Sequence, residues 1–457
     1  STYNETQLRI EFINPFFKYL GWDIDNTQRH SENYKEVIHE DKIKIGDNTK
    51  APDYCFRYGG VKKFFVEAKK PSVNIKDNFE PAYQLRRYAW SAKLPLSILT
   101  NFAEFAVYDC RIKPSVTDKA STARILYFDY TEYETRWDEI SQIFARDSIP
   151  HGLFDRFAQS SASKKGTTEV DTVFLEEMSQ WREMLALNVA LRNPDLTEQE
   201  LNFLVTMTIN RIIFLRINED RGIEPYGQLK MKIESEKGKN VYEKLYKLFL
   251  QTDSKYNSGL FHFRKEKGRI NFDDVSQKII IDDQALINII KNLYYPDSPY
   301  VFSAFRADIL GQIYEQFLGK VIRLTLSHRA IVEEKPEVKK AGGVYYTPTY
   351  IAEYIVKNTV GTLCENKTPD ETAKLRVLDP ACGSGSFLIQ AYQYLLDWHL
   401  DYYLHHTPAK WVKGKSPLLF KTKQGEWQLT TTVRKRILLN NIYGVDIDSQ
   451  AVEVTKL

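Results

Sequence analysis

The sequence has 457 residues, of which 43% are hydrophobic, so it is long enough for about three domains with separate hydrophobic cores. Its formal net charge of +3 excludes an argument for nucleic-acid binding from overall charge, which leaves only local basic patches. The four cysteines are scattered and form no Cys-x-x-Cys pair, which predicts neither a zinc site nor a disulfide framework and fits a cytoplasmic protein. The N-terminus shows no basic, apolar leader, and no apolar run reaches 18 residues, so neither a signal peptide nor a membrane span is expected.

The first 150 residues predict a small α/β domain. Apolar residues at helical spacing predict a helix over residues 5 to 20. Two strands follow, Asp53 to Tyr58 and Lys63 to Ala68, and the turn Tyr58-Gly-Gly-Val61 joins them into a hairpin. Two further strands are predicted at 96–100 and 105–109.

The ends of this hairpin carry charged residues that suit metal chemistry. Asp53 opens the first strand, and Glu67 and Lys69 lie two residues apart at the end of the second, so their side chains point to one face. Carboxylates are the hard oxygen ligands that Mg²⁺ prefers. A neighbouring lysine can orient water and offset phosphate charge, which indicates metal-assisted phosphodiester hydrolysis. The alternative is an exposed surface ion pair.

The string Pro52-Asp53 with Glu67-Ala-Lys69 resembles the PD-(D/E)xK nucleases. This resemblance implies that Asp53, Glu67 and Lys69 are catalytic and that Asp53 and Glu67 bind Mg²⁺. Gln84 and Tyr88 match the Gln-x-x-x-Tyr element of some of these nucleases, and at i and i+4 they share a helix face, from which they could contact the DNA backbone or the attacking water. An acid on the first helix often completes the metal site in such nucleases, and Glu5 is favoured over Glu11, although either could be a solvated helix residue.

The middle of the chain predicts a linker at 158–168 and then mostly helices up to about residue 335. Leu201–Asn218 and Ile309–Leu324 are the two clearest helices, and they resemble the helical connector of single-chain restriction-modification proteins. Basic residues of this region could touch phosphates, but a solvated charged face is the simpler interpretation. These basic residues are Lys230, Lys232, Arg264, Lys265, Lys267 and Arg269.

A strand, a glycine turn and a helix are predicted around residues 376 to 403. Val377 and Leu378 end a short buried strand, Asp379 follows, and Gly383 and Gly385 allow a sharp turn with close backbone approach to a ligand. This arrangement holds nucleotide-like cofactors at the carboxyl edge of a parallel sheet, and the alternative is a tight turn in an unrelated α/β domain.

The string Asp379-Pro-Ala-Cys-Gly-Ser-Gly-Ser-Phe387 resembles the cofactor motif of N6-adenine DNA methyltransferases. The resemblance implies that S-adenosylmethionine binds to Asp379, to the loop and to the aromatic residue that follows it. The implied loop contacts are Ala381, Cys382, Gly383, Ser384, Gly385, Ser386 and Phe387.

Two flanking segments extend the predicted cofactor site. Thr347, in Gly342–Pro348, is predicted as a helix N-cap, and the string resembles the element that closes over the methionine end of the cofactor in these enzymes. Asp446 ends a second strand, where a carboxylate can accept hydrogen bonds from ribose hydroxyls. By resemblance Asp446 takes this role, and Ile447 packs on the adenine.

Together the motifs resemble a type IIG restriction-modification enzyme that acts on double-stranded DNA. The expected fold is multidomain α/β, with a nuclease domain at 1–157, an all-helical connector at 158–338, and the start of a Rossmann-like methyltransferase domain at 339–457. The target-base motif Asn-Pro-Pro-Tyr or Phe does not occur, so methylation is not expected from this stretch alone. Alternatives are a solitary adenine methyltransferase with an inactive DNA-binding N-terminal domain, and a scaffolding subunit without activity. The recognition sequence and oligomeric state are not encoded in any recognisable pattern.

Overall fold

The computed structural model describes most of the chain as two compact units. The described residues are 3–30, 34–39, 52–160, 169–256, 259–263, 273–305, 311, 319–335, 347–412, 416–421, 427–447, 451–452 and 455. The first unit comprises Ser1–Glu176, Leu215–Met231 and Asn288–Phe305, and the second comprises Glu177–Phe214, Lys232–Ile287 and Arg306–Leu457. Among the described residues, no helix has the length and apolarity needed to cross a membrane.

The first unit is built on a six-stranded mixed sheet. Its strands lie side by side in chain order: β1 (Val37–His39), β2 (Tyr54–Tyr58), β3 (Val61–Ala68), β4 (Leu96–Thr100), β5 (Glu104–Asp109) and β6 (Arg124–Asp129). Only β3 and β4 are parallel, and the Phe79–Ser91 helix connects them. The other neighbouring pairs are antiparallel, and Tyr58 pairs with Val61 across the predicted hairpin turn. The predicted hairpin and the two predicted strands that follow it are therefore confirmed.

Each face of this sheet is covered by its own hydrophobic core. Phe56, Phe64 and Val66 pack with the N-terminal helical segment on one face. Cys55 and Phe65 pack with the Phe79–Ser91 helix on the other. Because alternate residues of a strand point to opposite faces, Asp53 and Glu67 fall on the face of the Phe79–Ser91 helix.

Helices account for most of the remaining described chain. The N-terminal segment runs as Glu5–Leu8, a π-helical turn Arg9–Ile13, and Asn14–Tyr19, with Pro15 in the first turn of the last part. The further helices are Phe79–Ser91, Trp137–Phe144, Leu153–Ser160, Val170–Arg192, Glu198–Asp220, Gln228–Glu234, Val241–Lys255, Asp283–Lys291, Thr349–Val356, Pro369–Thr372, Ser386–His405 and Thr431–Asn441. A π-helical turn Lys357–Gly361 and a short turn Thr362–Cys364 continue the Thr349–Val356 helix.

The connector is not all-helical, and the predicted 158–168 linker begins too early. Leu153–Ser160 is a helix, so residues 158–160 are helical, while 161–168 lie outside the described residues. Lys320–Leu324, predicted as the end of a helix, is a strand paired antiparallel with Ala330–Glu334. The β-branched pair at 321–322 favours a strand. The side-chain amide of Asn202 donates to the backbone carbonyl of buried Ile322 at 2.6 Å and accepts from its backbone N–H at 2.8 Å. Residues 309–310 and 312–318 of the predicted helix lie outside the described residues, as do Arg264 to Arg269.

Among the described residues of the second unit, the strands form three two-stranded sheets. Lys320–Leu324 pairs with Ala330–Glu334, and Leu419–Lys421 pairs with Trp427–Leu429, both antiparallel. Val377–Asp379 and Ile442–Gly444 are parallel, and Gly444 pairs with Asp379. The predicted strand before the glycine loop and the second predicted strand are therefore confirmed as neighbours. The first is not buried, however, because Leu378 is 60% exposed.

Candidate active sites

The predicted nuclease residues meet where β2 begins and β3 ends. Asp53 immediately precedes β2, Glu67 is the penultimate residue of β3, and Lys69 follows that strand. Antiparallel pairing of Tyr54 with Val66 places these two strand ends side by side. The sequence prediction that the three side chains converge on one face of the sheet therefore agrees with their observed positions.

Hydrogen bonds join Glu67 to Lys69 and Gln84 directly and tie Asp53 to the neighbouring strand end. The backbone N–H of Ala68 donates to Oδ2 of Asp53 at 2.7 Å, which ties the first strand end to the second. Lys69 Nζ donates to Oε1 of Glu67 at 2.5 Å, and Gln84 Nε2 from the facing helix donates to the same oxygen at 3.3 Å. The arrangement joins two carboxylates, an ammonium group and an amide in one cluster.

Glu67 is the most strongly perturbed group of the cluster. Its residue is only 3% exposed, and its Oε2 atom accepts no hydrogen bond from any residue that the structure describes. Burial, reinforced by the negative charge of Asp53, raises the pKa of Glu67 to about 7. A buried carboxylate oxygen without a donor, beside a second carboxylate, fits a divalent cation. Within the described residues, however, no group of three or more Asp, Glu, His or Cys side chains is arranged to hold a metal ion.

Lys69 and Tyr88 both lie near the Glu67 carboxylate, but Lys69 is a charged partner and Tyr88 is part of the hydrophobic core. Burial lowers the pKa of Lys69, but the carboxylate and hydrogen bond of Glu67 outweigh this effect and raise it overall, so the side chain is a cation at neutral pH. Tyr88 is 5% exposed and belongs to the core beneath the helix. Burial and then the charge of Glu67 raise the pKa of Tyr88. Tyr88 therefore backs the cluster from the core and does not reach the surface.

Two residues of the first helix face the cluster, and the sequence predicted only one of them. Burial and then the negative charge of Asp53 raise the pKa of Glu5, so its carboxyl group lies within electrostatic range of the cluster. Glu11, the alternative, accepts from the Tyr3 hydroxyl at 2.5 Å instead. Arg9, four residues after Glu5, pairs with Asp53 at 3.2 Å. The i, i+4 spacing from Glu5 was the signal that could have identified Arg9.

The helix that carries Gln84 and Tyr88 is held by residues far along the chain. Arg87 donates to the backbone carbonyl of Tyr300 at 2.9 Å, and the hydroxyl of Ser91 accepts from the N–H of Val301 at 2.9 Å. The rings of Trp90 and Tyr300 stack with centroids 5.7 Å apart. Segment 288–305 therefore completes the packing of the first unit, which the local sequence patterns do not reveal.

The second candidate site is the glycine loop after Val377–Asp379. Gly383 and Gly385 have φ values of +52° and +83°, the left-handed region that favours glycine. The backbone N–H of Gly383 donates to Oδ2 of Asp446 at 2.8 Å, and that of Cys382 donates to the carbonyl of Val445 at 2.9 Å. These bonds fasten the loop to the chain that follows the second strand. The loop glycines therefore occupy the conformations that the sequence predicts for them.

The helix after this loop begins at Ser386 with Gly385 as its N-cap and without a side-chain cap. The first N–H groups of such a helix are left to other acceptors, and this fits the carboxylate of an amino-acid-like cofactor. Ala381 donates its N–H to Asp379 at 3.1 Å, Ser384 is buried, and Phe387 is half-buried.

The predictions for Thr347, Asp446 and Ile447, which flank the glycine loop, can be compared with the structure in position only. Thr347 is not an N-cap, because the helix begins at Thr349 and Pro348 takes the cap position without a side-chain hydrogen bond. Residues 342–346 lie outside the described residues. Asp446, predicted to end the second strand, lies two residues beyond its last residue Gly444, and Ile447 beside it is fully exposed.

The two candidate sites coincide with two known types of protein region. Residues 305–456 match the family described as N-6 DNA Methylase, and residues 30–115 match the family described as Type I restriction enzyme R protein N terminus. The chain is thus similar to a restriction-enzyme N-terminal region over residues 30–115 and to an N-6 DNA methylase region over residues 305–456. The methylase match begins upstream of the boundary predicted at residue 339.

Two relatives are named as both restriction enzyme and methyltransferase. The chain is 37% identical over 99% of its length to the type II restriction enzyme and methyltransferase RM.Eco57I of Escherichia coli, and covers 43% of that protein. It is 28% identical over 98% of its length to the putative type II restriction enzyme and methyltransferase RM.MjaORFECS2P of Methanocaldococcus jannaschii, and covers 42% of it. It thus spans less than half the length of these relatives. This similarity confirms the resemblance to restriction-modification enzymes that the motifs predict.

A solved structure titled as the cryoEM structure of a DrdV-DNA complex also matches. The match covers 88% of this chain and 34% of that one, with 13% identity and a TM-score of 0.32.

Proposed function

We propose that this chain is the nuclease, connector and cofactor-binding part of a type IIG restriction-modification enzyme that acts on double-stranded DNA. Its first activity would be Mg²⁺-dependent cleavage of both strands, and the full protein would also methylate adenine N6 with S-adenosylmethionine. The observation that carries the proposal is the cluster of Asp53, Glu67 and Lys69, with the buried donor-free Oε2 of Glu67. The similarity to two-activity relatives along almost the whole chain supports it.

In this proposal Asp53 and Glu67 hold Mg²⁺. Glu5, the predicted third ligand, adds its negative charge from the first helix, since the described residues form no three-carboxylate group arranged to hold a metal. When bound, the metal would polarise the scissile phosphate and lower the pKa of a coordinated water. Lys69 orients the attacking water and offsets the charge that develops on the phosphate. Gln84 fixes the Glu67 carboxylate by its hydrogen bond, and Tyr88 excludes water behind it.

The proposed cofactor site uses the glycine loop and the helix that follows it. The backbone from Ala381 to Ser386 would bind the methionine part, with Cys382 and Ser384 packed inside the loop and Phe387 beside it. Asp379 would lie at the edge of the same pocket, and Thr347 would lie near its methionine end. Asp446 would accept hydrogen bonds from the ribose hydroxyls, and Ile447 would cover the adenine.

The proposed domain organisation is a PD-(D/E)xK nuclease domain at 1–157, a mainly helical connector at 158–338 and the first part of a Rossmann-like methyltransferase domain at 339–457. The family match at 30–115 supports the first, and the parallel pair Val377–Asp379 and Ile442–Gly444 supports the last. Segment 288–305 would belong to the connector by sequence while packing with the nuclease. A cytoplasmic location is proposed with this function.

Plasmid nicking in Mg²⁺ tests the nuclease proposal. The wild-type chain should convert supercoiled plasmid to nicked and linear forms, and Asp53→Ala or Lys69→Ala should reduce the rate at least about a hundredfold. Exposed Glu134→Gln serves as a matched control. Equal nicking by wild type and by the Asp53 variant would remove the assignment and favour the solitary methyltransferase. Calorimetry with S-adenosylmethionine separately tests the cofactor site.

A further inference from the structure

Arg9 is the basic residue of the first helix that contacts the proposed metal site. Asn4 and Gln7 form a capping box that fixes the start of this helix, and Arg9 lies one turn after Glu5. The two side chains therefore share a helix face. Because Arg9 pairs with Asp53 and Glu5 senses the same carboxylate, this face is directed at the strand ends that carry the cluster.

The Arg9 guanidinium is held in a defined, largely buried position. Its Nη1 donates to Oδ1 of Asp53 at 3.2 Å, its Nη2 to the Asp53 carbonyl at 3.5 Å, and its Nε to the Tyr54 hydroxyl at 3.4 Å. The guanidinium also lies over the Tyr54 ring, 4.9 Å from the centroid. The Tyr54 hydroxyl in turn donates to Asn14 at 2.7 Å. The Arg9 and Asp53 side chains are only 14% and 12% exposed.

The contacts of Asp53 make Arg9 a competitor of a bound cation. The Oδ2 atom of Asp53 accepts the Ala68 N–H, so Oδ1, which Arg9 contacts, is the oxygen that would be offered to a metal. A divalent cation between Asp53 and Glu67 would lie within a few ångströms of the guanidinium, and two cations at that separation repel each other in a poorly solvated site. A planar guanidinium released from a carboxylate is well suited to bind a phosphate through two N–H groups.

We propose that Arg9 is a positioning residue that holds Asp53 in the metal-free protein and moves to a phosphate of the DNA when the metal binds. This inference rests on the proposed metal-dependent nuclease. Arg9 then couples the binding of metal to the binding of DNA, since metal binding frees the guanidinium that contacts the DNA phosphate. Such coupling favours assembly of the cleavage site in the presence of both metal and DNA.

Metal binding by calorimetry at pH 8 tests the first half of the proposal. In Arg9→Met and Arg9→Gln, the Kd for Mn²⁺ should fall about tenfold, because the competing cation is gone. Arg9→Lys keeps the positive charge and should stay close to wild type. Arg156→Gln is the control, because Arg156 is exposed and donates to backbone carbonyls of its own helix start.

The salt dependence of DNA binding tests the second half. In Ca²⁺, the slope of log K against log[salt] for duplex DNA should be smaller by about 1 in Arg9→Met than in wild type, because one phosphate contact is lost. In EDTA the two slopes should agree.

The outcomes separate this inference from the proposed function. If wild type and Asp53→Asn bind Mn²⁺ equally, the metal site is elsewhere, and both the proposed function and this inference fail. If wild type binds Mn²⁺ through Asp53 but the Arg9 variants bind it equally or more weakly, only the competition fails. Equal slopes for wild type and Arg9→Met in Ca²⁺ overturn the phosphate contact.

Discussion

Replacing Glu67 by glutamine should stabilise the metal-free protein at alkaline pH. The folded protein retains a proton on Glu67 up to about pH 7, whereas the unfolded chain releases it near the ordinary value of 4.5. Between these values the folded state binds more protons than the unfolded state, so its free energy of unfolding falls as pH rises. Above pH 7 the ionised, buried carboxylate therefore opposes folding, whereas the neutral amide of the Glu67→Gln variant cannot ionise.

The size of this effect follows from the two pKa values. A rise of the pKa from 4.5 to about 7 corresponds, at about 1.4 kcal/mol per pKa unit, to about 3 kcal/mol. Glu67→Gln should therefore be more stable than wild type by up to about 3 kcal/mol at pH 8, and equal to it near pH 4.5, where both side chains are neutral in the folded protein. The hydrogen bonds from Lys69 and Gln84 can still be accepted by the amide oxygen.

Denaturant unfolding in EDTA measures this difference, and the buried Trp22 and Trp90 of the same unit report it by fluorescence. Exposed Glu134→Gln controls for the loss of one carboxylate. Saturating Mn²⁺ should narrow this difference by up to about 2.7 kcal/mol at about 100 times Kd, because wild type gains that stabilisation and the variant gains less. The reasoning is refuted if the variant is less stable than wild type at pH 8 without metal, or if their difference does not change with pH.

Three further outcomes are expected from the same contacts. Plasmid cleavage by wild type should rise about tenfold per pH unit below pH 7 and level off above it, because only ionised Glu67 binds the metal; a flat profile from about pH 6 to 8 would contradict this. Arg87→Met should lower the melting temperature of the first unit and reduce cleavage, since it leaves the buried carbonyl of Tyr300 without its donor at a cost of about 1–3 kcal/mol. An unchanged melting temperature would show that this hydrogen bond does not fix the helix. Gly385→Ala should weaken S-adenosylmethionine binding at least about tenfold, because its Cβ would clash with the Thr455 side chain. Gly227→Ala, with a similar positive φ and open space around it, should leave calorimetric binding unchanged.

Local patterns predicted the parts of both sites that short stretches of chain determine. The hairpin from Asp53 to Ala68 places its charged residues by strand alternation and a two-glycine turn, which need no distant contact. The glycine loop after Asp379 is equally local, because its positive φ angles are built into Gly383 and Gly385. Strand register and turn geometry were therefore sufficient to predict the positions of most candidate site residues.

The errors arose where distant residues decide the local conformation. Lys320–Leu324 continues a helical pattern by sequence, but Asn202 satisfies the backbone of Ile322 only when that segment is extended. Thr347 has the chemistry of an N-cap, yet the helix begins at Thr349. The β-branched pair at 321–322 is the only local signal for the strand, and the residues around Thr347 carry none for the later start of the helix.

The packing around the Phe79–Ser91 helix shows why an active site cannot be read from its motif alone. Gln84 reaches Glu67 only because this helix is fixed against the sheet, and part of that fixation comes from Tyr300 and Val301, more than two hundred residues later. A shift of the helix by about 1 Å would break the 3.3 Å bond from Gln84 and expose the Glu67 carboxylate to water, which would lower its pKa towards the ordinary value. Segment 288–305 is therefore expected to influence Glu67, the proposed metal ligand, through the Phe79–Ser91 helix.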